Sequence, residues 1–322
     1  MGEFELIRHF FQQHRAETMP GSVFLGIGDD AALLQPPDGQ TLVVSVDTLV
    51  CDVHFPADAA PDEIAQRALR VNLSDLAAMG AQPLWFTLAL TLPEVSDDWL
   101  RDFSRGLFAC AEEFDCTLVG GDTTSGPLSI TIQVMGTVEP SRALRRDGAG
   151  AGDYVLVTHT LGDAAAGLAV MQDRLDQTLD EPTNAYLSAR YYQPTPRLKE
   201  GVALRDFASA ALDISDGLVA DLGHIGESSD LGADVYVEDL PLSPALKRLK
   251  DKDQARRWAL AGGDDYELCF TVAEEKMPEL GLRIASGEID ATVIGRMRAG
   301  SGVSCLLQGQ PFELESSGYT HF

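Results

Sequence analysis

Residues 41–50, TLVVSVDTLV, are β-branched and mostly apolar and predict a strand. Pro61 then opens DEIAQRALRVNLSDLAAMG, whose apolar residues return with a helical period until Gly80 closes the segment. LWFTLALTLP predicts a second strand, stopped by Pro93. In DDWLRDFSRGLFACAEEFDC, residues Leu100, Phe103, Leu107, Ala111 and Phe114 share one helical face. TLVGGD follows as a short buried strand and LSITIQVMGTVE as a longer one. The order strand, helix, strand, helix, strand, strand predicts an α+β sheet with helices on one face. Ahead of it, MGEFELIRHFFQQHR predicts a short amphipathic helix.

The run PSRALRRDGAGAGD, residues 140–153, is rich in glycine and charge and precedes a new strand, YVLVTHTLG. Its glycines are followed by a strand rather than a helix, so they read as a linker and not as a nucleotide loop. The domain boundary is placed here, giving an N-terminal domain over 1–147 and a C-terminal domain over 148–322. The second half mixes helices (DAAAGLAVMQ, the stretch around ARYYQPTPRL, GLVADLGHIGES, PALKRLK) with strands (SAALDIS, ADVYVEDL, YELCFTV, IDATVIGRM). No long period repeats, although LVGGDT at 118–123 echoes LAGGDD at 260–265.

Charge narrows the function classes. The 24 Lys and Arg against 50 Asp and Glu give a formal net charge of -26, which repels nucleic acid and anionic membranes. The five cysteines, Cys51, Cys110, Cys116, Cys269 and Cys305, form no C-x-x-C pair and have no histidine at zinc spacing. They read as reduced thiols. No apolar run approaches the length of a membrane span and the N-terminus lacks a secretory pattern, so a cytoplasmic protein is expected.

The aspartates are more informative than the total charge. Asp29 and Asp30 in GIGDDA, Asp47 in SVDT, Asp122 in GGDT, Asp213 and Asp216 in DISDG, and Asp264 and Asp265 in GGDDYE lie beside glycine or at predicted strand ends. Asp75 continues the helical stripe Ile64, Ala68, Val71, so a carboxylate takes a core position and needs a cation or a hydrogen-bonding partner. Singly, each is also an ordinary cap or turn residue. Together they would converge on one sheet rim, and two carboxylates ~4 Å apart repel by roughly 4 kcal/mol at an effective dielectric near 20. A divalent cation removes that cost. All-oxygen ligands point to Mg²⁺, Mn²⁺ or Ca²⁺, and acids spread over both halves favour Mg²⁺ shared with a phosphorylated ligand.

No P-loop and no protein-kinase motif set is present. GIGDDA has the outline of a dinucleotide fingerprint, but its two acids would face pyrophosphate and Pro36-Pro37-Asp38-Gly39 cuts off the required helix. Phosphate held through metal ions remains, with Arg145 and Arg146 as candidate cations or as a solvated linker.

GIGDDAAL, SVDTLVCDVHF, NLSDLAAMGAQP, LVGGDTT, LDISDGL, GGDDYELCF and GYTHF, in this order, resemble the thiamine-monophosphate kinase family, in the group of aminoimidazole-ribonucleotide synthetase and selenophosphate synthetase. The resemblance implies a two-domain α+β and mixed α/β protein. Its N-terminal ferredoxin-like sheet would form a barrel across a homodimer, with a C-terminal α/β domain beside it. It implies ATP as co-substrate, several Mg²⁺ ions, and phosphorylation of thiamine monophosphate to thiamine diphosphate by direct transfer. Implied metal ligands are Asp30, Ser45, Val46 through its carbonyl, Asp47, Asp75, Asp122, Asp213 and Asp216. Implied ATP contacts are Gly121, Asp122, Arg146 and Ser215, and implied substrate contacts are His54, Asp264 and Tyr319. Asp264 stands where the family has Glu, Val46 where it often has Thr, and Ser104 where some relatives carry an aromatic. A reactive N-terminal Cys, as in selenophosphate synthetases, is missing, since the first is Cys51; the chain ends in Phe322 and not in a functional Cys.

Overall fold

The computed structural model describes residues 2–12 and 21–320, and the chain divides into two compact units. One runs to Leu76 and resumes over Ala81–Ser141; the other comprises Ala77–Gly80 and the chain from Arg142 onward. Residues 142–147, assigned by the sequence to the first domain, thus belong to the second unit. Leu144 is buried there, its N–H donating to the Met79 carbonyl at 3.1 Å, and Ala211 donates to the Arg145 carbonyl at 2.8 Å.

In the first unit α1 (Glu3–Leu6) widens into a π-helical segment, Ile7–Gln12; the rest of the predicted N-terminal helix, residues 13–15, lies outside the described residues. A small antiparallel pair, β1 (Val23–Leu25) and β2 (Leu33–Leu34), follows, and GIGDDA is the turn that joins it. Then come β3 (Thr41–Val50), α2 (Pro61–Ala78), β4 (Gln82–Leu92), α3 (Asp97–Glu113), β5 (Thr117–Ser125) and β6 (Ser129–Val138). Ser96 caps α3 by accepting from the Trp99 N–H at 3.3 Å. Of its predicted face, Leu100, Phe103, Leu107 and Ala111 are buried, and Phe114, at the C-cap, is half-buried.

The sheet order is β3-β6-β4-β5, with only β4 and β5 parallel. The ferredoxin-like expectation is corrected by this order. A ferredoxin-like unit runs βαββαβ, whereas here both helices precede the last two strands. α3 returns the chain to place β5 parallel beside β4; the link 126–128 then passes over the end of β4, where Gly126 N–H donates to Leu92 O at 2.9 Å. β6 therefore fills the space between β4 and β3. β5 also runs on past the glycines to Ser125 as an edge strand, so Gly121, Asp122 and Thr124 are exposed rather than buried as expected.

The second unit comprises β7 (Tyr154–Thr158), α4 (Asp163–Met171), α5 (Glu181–Tyr192), α6 (Leu198–Leu204), β8 (Ala208–Asp213), α7 (Leu218–Ser228) and β9 (Gly232–Tyr236). It continues with α8 (Pro244–Lys247), α9 (Lys252–Ala261), β10 (Leu268–Val272), α10 (Met277–Ala285), β11 (Ala291–Arg298), β12 (Val303–Leu307) and β13 (Gln310–Pro311). Its seven strands lie in the order β13-β12-β9-β11-β7-β10-β8, antiparallel except for β9 with β12. Alternate residues of β7 feed two cores, Val155 and Val157 packing with Leu218 and Leu222 of α7, and Leu156 with Leu204 and Leu280 of α6 and α10. A sheet covered on both faces explains the unbroken apolar run YVLV. Leu268 lies opposite Asp213 in register, so DISDG and GGDDYE emerge at one rim.

Candidate active site

In the first unit a cavity of about 660 Å³ opens between the GIGDDA turn, the middle of β5 and the N-terminal helical segment. Asp29, Asp30, Gly121 and Asp122 line it together. The register shift of β5 against β4 between Phe86 and Thr87 leaves Val119 as an extra residue, a bulge that ends regular pairing just before the two glycines. Gly121 has φ +156°, and a Cβ there would lie 1.9 Å from the Leu88 carbonyl oxygen, so the strand comes this close only because the residue is glycine. Asp29 caps its own turn, Oδ1 accepting from the Asp30 N–H at 2.8 Å, and Asp30 is left facing solvent.

A second pair of acids lies where β3 meets α2. Ser45 and Asp47, two apart on a strand, share a face, as do Asn72 and Asp75, three apart on a helix. Ser45 Oγ donates to Asp75 Oδ2 at 2.5 Å, and Asp47 N–H donates to Asn72 Oδ1 at 3.0 Å. Asp75 thus has the partner its inward position required. The Asp47 carboxyl has an open side to solvent, yet the protein packed around it and, second, the Asp75 charge push its pKa up to about 6. That is the direction for a carboxylate held beside another without a counter-ion. Val46 points the opposite way, its side chain exposed on the outer face of the sheet. His54 accepts the Val50 N–H on Nδ1 at 3.0 Å, which assigns the proton to Nε2, and its carbonyl accepts from Arg67 Nε at 3.1 Å.

In the second unit three motifs meet. Asp264 N–H donates to Ser215 O at 2.8 Å, Tyr266 N–H to Ile214 O at 2.8 Å, and Tyr319 N–H to Asp216 O at 3.0 Å. Asp213, Ser215, Asp216, Asp264 and Tyr319 are therefore neighbours. Asp264 and Tyr266 have φ of 63° and 50°, left-handed values that cost a non-glycine residue energy and persist where surroundings enforce them. One enforcing residue is Asp221, in the first turn of α7. Its Oδ2 accepts from the N–H groups of Ser215, Asp216 and Gly217 at 3.0, 3.0 and 3.1 Å and fixes the DISDG loop. Burial pushes its carboxyl up to about 6 despite these bonds. Arg146 is not brought to this cluster. Its carbonyl accepts from Ser229 at 3.2 Å, beyond the C-terminal end of α7, whereas the loop lies at the N-terminal end.

Beneath GGDDYE, Glu267 is fully buried in a polar network. Arg197 approaches it with a two-pronged fork, Nε to Oε2 at 2.5 Å and Nη2 to Oε1 at 2.6 Å; Arg190 Nη2 adds 2.8 Å and Thr158 Oγ1 adds 2.6 Å. Burial alone would raise its pKa, but Arg197 and then Arg190 hold the carboxyl below its ordinary range. Asp265, also buried, is pushed well above the ordinary range by desolvation and accepts the Gly162 N–H at 2.7 Å. Asp221, Asn72 and Glu267 were missed as site-building residues. An Asn and an Asp inside otherwise apolar helical stretches were the available signal for the first two.

Among the described residues, no group of three or more His, Cys, Asp or Glu stands close enough to hold a metal ion. The donors come instead in pairs, Asp30 with Asp122 on one cavity and Asp47 with Asp75 beneath β3. All are hard oxygens, and this donor set fits Mg²⁺. Among the described residues no helix is long and apolar enough to cross a membrane.

Comparison with known proteins covers both units. The profile of AIR synthase related protein, N-terminal domain, matches residues 28–138, and that of AIR synthase related protein, C-terminal domain, residues 150–308. The chain is 52% identical over 322 residues to the thiamine-monophosphate kinase of Salmonella typhimurium, spanning 100% of this chain and 98% of that protein. The crystal structure of thiamine-monophosphate kinase from Stenotrophomonas maltophilia superimposes with a TM-score of 0.86 at 47% identity, covering 97% of this chain and 98% of that one. AaThiL complexed with AMPPCP and TMP superimposes with a TM-score of 0.77 at 33% identity, covering 100% and 97%.

Proposed function

The chain belongs to the thiamine-monophosphate kinase family, and from that premise we propose that it converts thiamine monophosphate to thiamine diphosphate with ATP, by direct in-line phosphoryl transfer assisted by Mg²⁺. The observation that carries this reading is the cavity of about 660 Å³ lined by both Asp30 and Asp122, where glycine backbone would let a phosphate approach main-chain N–H groups.

Asp30, Ser45, Asp47, Asp75 and Asp122, with Val46 through its carbonyl, would hold Mg²⁺ in the first unit, and Asp213 and Asp216 in the second. When bound, the ions would neutralise phosphate charge and align donor with acceptor. The chain needs no strong base for the rest. A phosphate monoester has a second pKa of about 6 and is already largely a dianion at neutral pH. Gly121, Asp122 and Ser215 would orient ATP, and His54, Asp264 and Tyr319 the acceptor. The Asp264 carboxylate and the Tyr319 ring, half-exposed at 47%, suit a cationic thiazolium. The clamp of Asp221 on DISDG keeps Asp216 and Ser215 in place without reorganisation in each turnover.

The working form is proposed to be a homodimer in which the first units join their sheets into a barrel. Support comes from β3, an edge strand whose outer face exposes Leu42, Val44 and Val46 at 45, 50 and 56%. Five free thiols, four of them buried, accord with a cytoplasmic protein.

ADP release by the purified chain with ATP and Mg²⁺ tests the reading. Addition of thiamine monophosphate is expected to stimulate release and yield thiamine diphosphate. Turnover with a different phosphorylated acceptor but none with thiamine monophosphate would instead favour another synthetase of the same group.

A further inference from the structure

The same cavity has one wall that none of the implied contacts uses. Ile7, Arg8, Phe11 and Gln12 of the π-helical segment line it opposite no charged partner of their own. The wider turn of this helix type brings residues four apart close together, which groups Ile7 with Phe11 and Arg8 with Gln12. The segment is packed and anchored. Leu6, Phe10 and Phe11 are buried, and Gln12 Nε2 donates to the Ile27 carbonyl at 3.4 Å, tying it to the GIGDDA turn.

Three carboxylates line this cavity, Asp29, Asp30 and Asp122, and Arg8 is the one cation among the lining residues. Arg8 is exposed and, among the described residues, makes no ion pair or hydrogen bond, so none of these carboxylates neutralises it. A cavity carrying acids and a separate, unengaged guanidinium suits a ligand that presents both metal-bound and metal-free phosphate oxygens. The acids would serve the first kind through a cation, and the guanidinium fork fits the second directly. We propose that Arg8 binds the polyphosphate of the nucleotide, and that the N-terminal helical segment is a working wall of the nucleotide site. This rests on the ATP-dependent reading above.

The test uses the full chain and calorimetric binding of the non-hydrolysable ATP analogue AMPPCP with Mg²⁺, without acceptor. Adenosine serves as a phosphate-free comparison. Arg8→Ala is expected to weaken AMPPCP binding about tenfold, as loss of a hydrogen-bonded charge does. Adenosine binding should stay unchanged, Arg8→Lys should recover part of the loss, and neighbouring His9→Ala should behave as the parent. In turnover, KM for ATP should rise by the same factor while KM for the acceptor stays put. Unchanged AMPPCP affinity in Arg8→Ala, or an equal loss for adenosine, overturns the inference while the kinase reading stands. A parent protein that binds no AMPPCP overturns both.

Discussion

A carboxylate on an otherwise apolar helix face must be answered by something, and Asp75 is answered by the Ser45 hydroxyl from the facing strand. Two adjacent glycines show how finely position matters at the neighbouring cavity. A Cβ on Gly121 would collide with the Leu88 carbonyl, whereas one on Gly120 would meet nothing within 4 Å and project into open space. Gly121→Ala is therefore expected to destabilise the first unit by about 1–3 kcal/mol, as overpacking does. Gly120→Ala should leave the unfolding midpoint unchanged and raise KM for ATP several-fold, because its methyl takes cavity space. Denaturant unfolding and steady-state kinetics on the pair check both halves; equal stability losses would mean that Gly120 is not open. The inward Asp75 was legible in sequence because a helix period exposes an acid out of place. Arg8 was not, since an amphipathic helix with charge throughout gives no sign of which charged residue faces a cavity.

Elements differ in how much of their role a sequence carries. The order of strands and helices in the first unit was readable from periodicity, and so was the presence of DISDG and GGDDYE at strand ends. Connectivity in space was not: whether β6 lies outside β5 or crosses to sit between β3 and β4 depends on a three-residue link that either arrangement could use. Glu267 was hidden for a related reason, because its partners Arg190 and Arg197 lie 77 and 70 residues away. The network sets a pH dependence with a definite sign. The folded carboxyl is held below its ordinary value of 4.5, so its stabilisation is present above that value and is lost as pH falls through the lower folded one. Glu267→Gln removes the carboxylate that Arg190 and Arg197 share, leaving them only the longer contacts at 3.9 Å to Asp163 and Glu200, and is expected to cost about 3–5 kcal/mol. Thermal unfolding between pH 3 and 7 should show the parent losing stability in the acid range and the variant starting low with a flatter profile. A variant as stable as the parent at pH 7 would show that the fork adds nothing.

At the scale of the whole molecule, a net charge of -26 opposes the proposed self-association, and the two are reconciled by where the charge is absent. The outer face of β3 carries Leu42, Val44, Val46 and Thr48, with no ionised side chain, while Ser45 and Asp47 turn towards α2. A ten-residue edge strand with an apolar outer face invites pairing with a second strand unless charge or a bulge blocks it, and β3 pairs with β6 residue for residue without a shift. This face is the surface through which the proposed homodimer would pair. Val44→Lys places a charge in the middle of the exposed apolar row, distant from the side of the strand that bears Ser45 and Asp47. Light scattering after size exclusion should find the parent at twice its chain mass and Val44→Lys at 34.6 kDa, with circular dichroism unchanged. A variant that stays dimeric would move the interface elsewhere. A monomer that keeps full turnover would mean that each chain builds its active site alone.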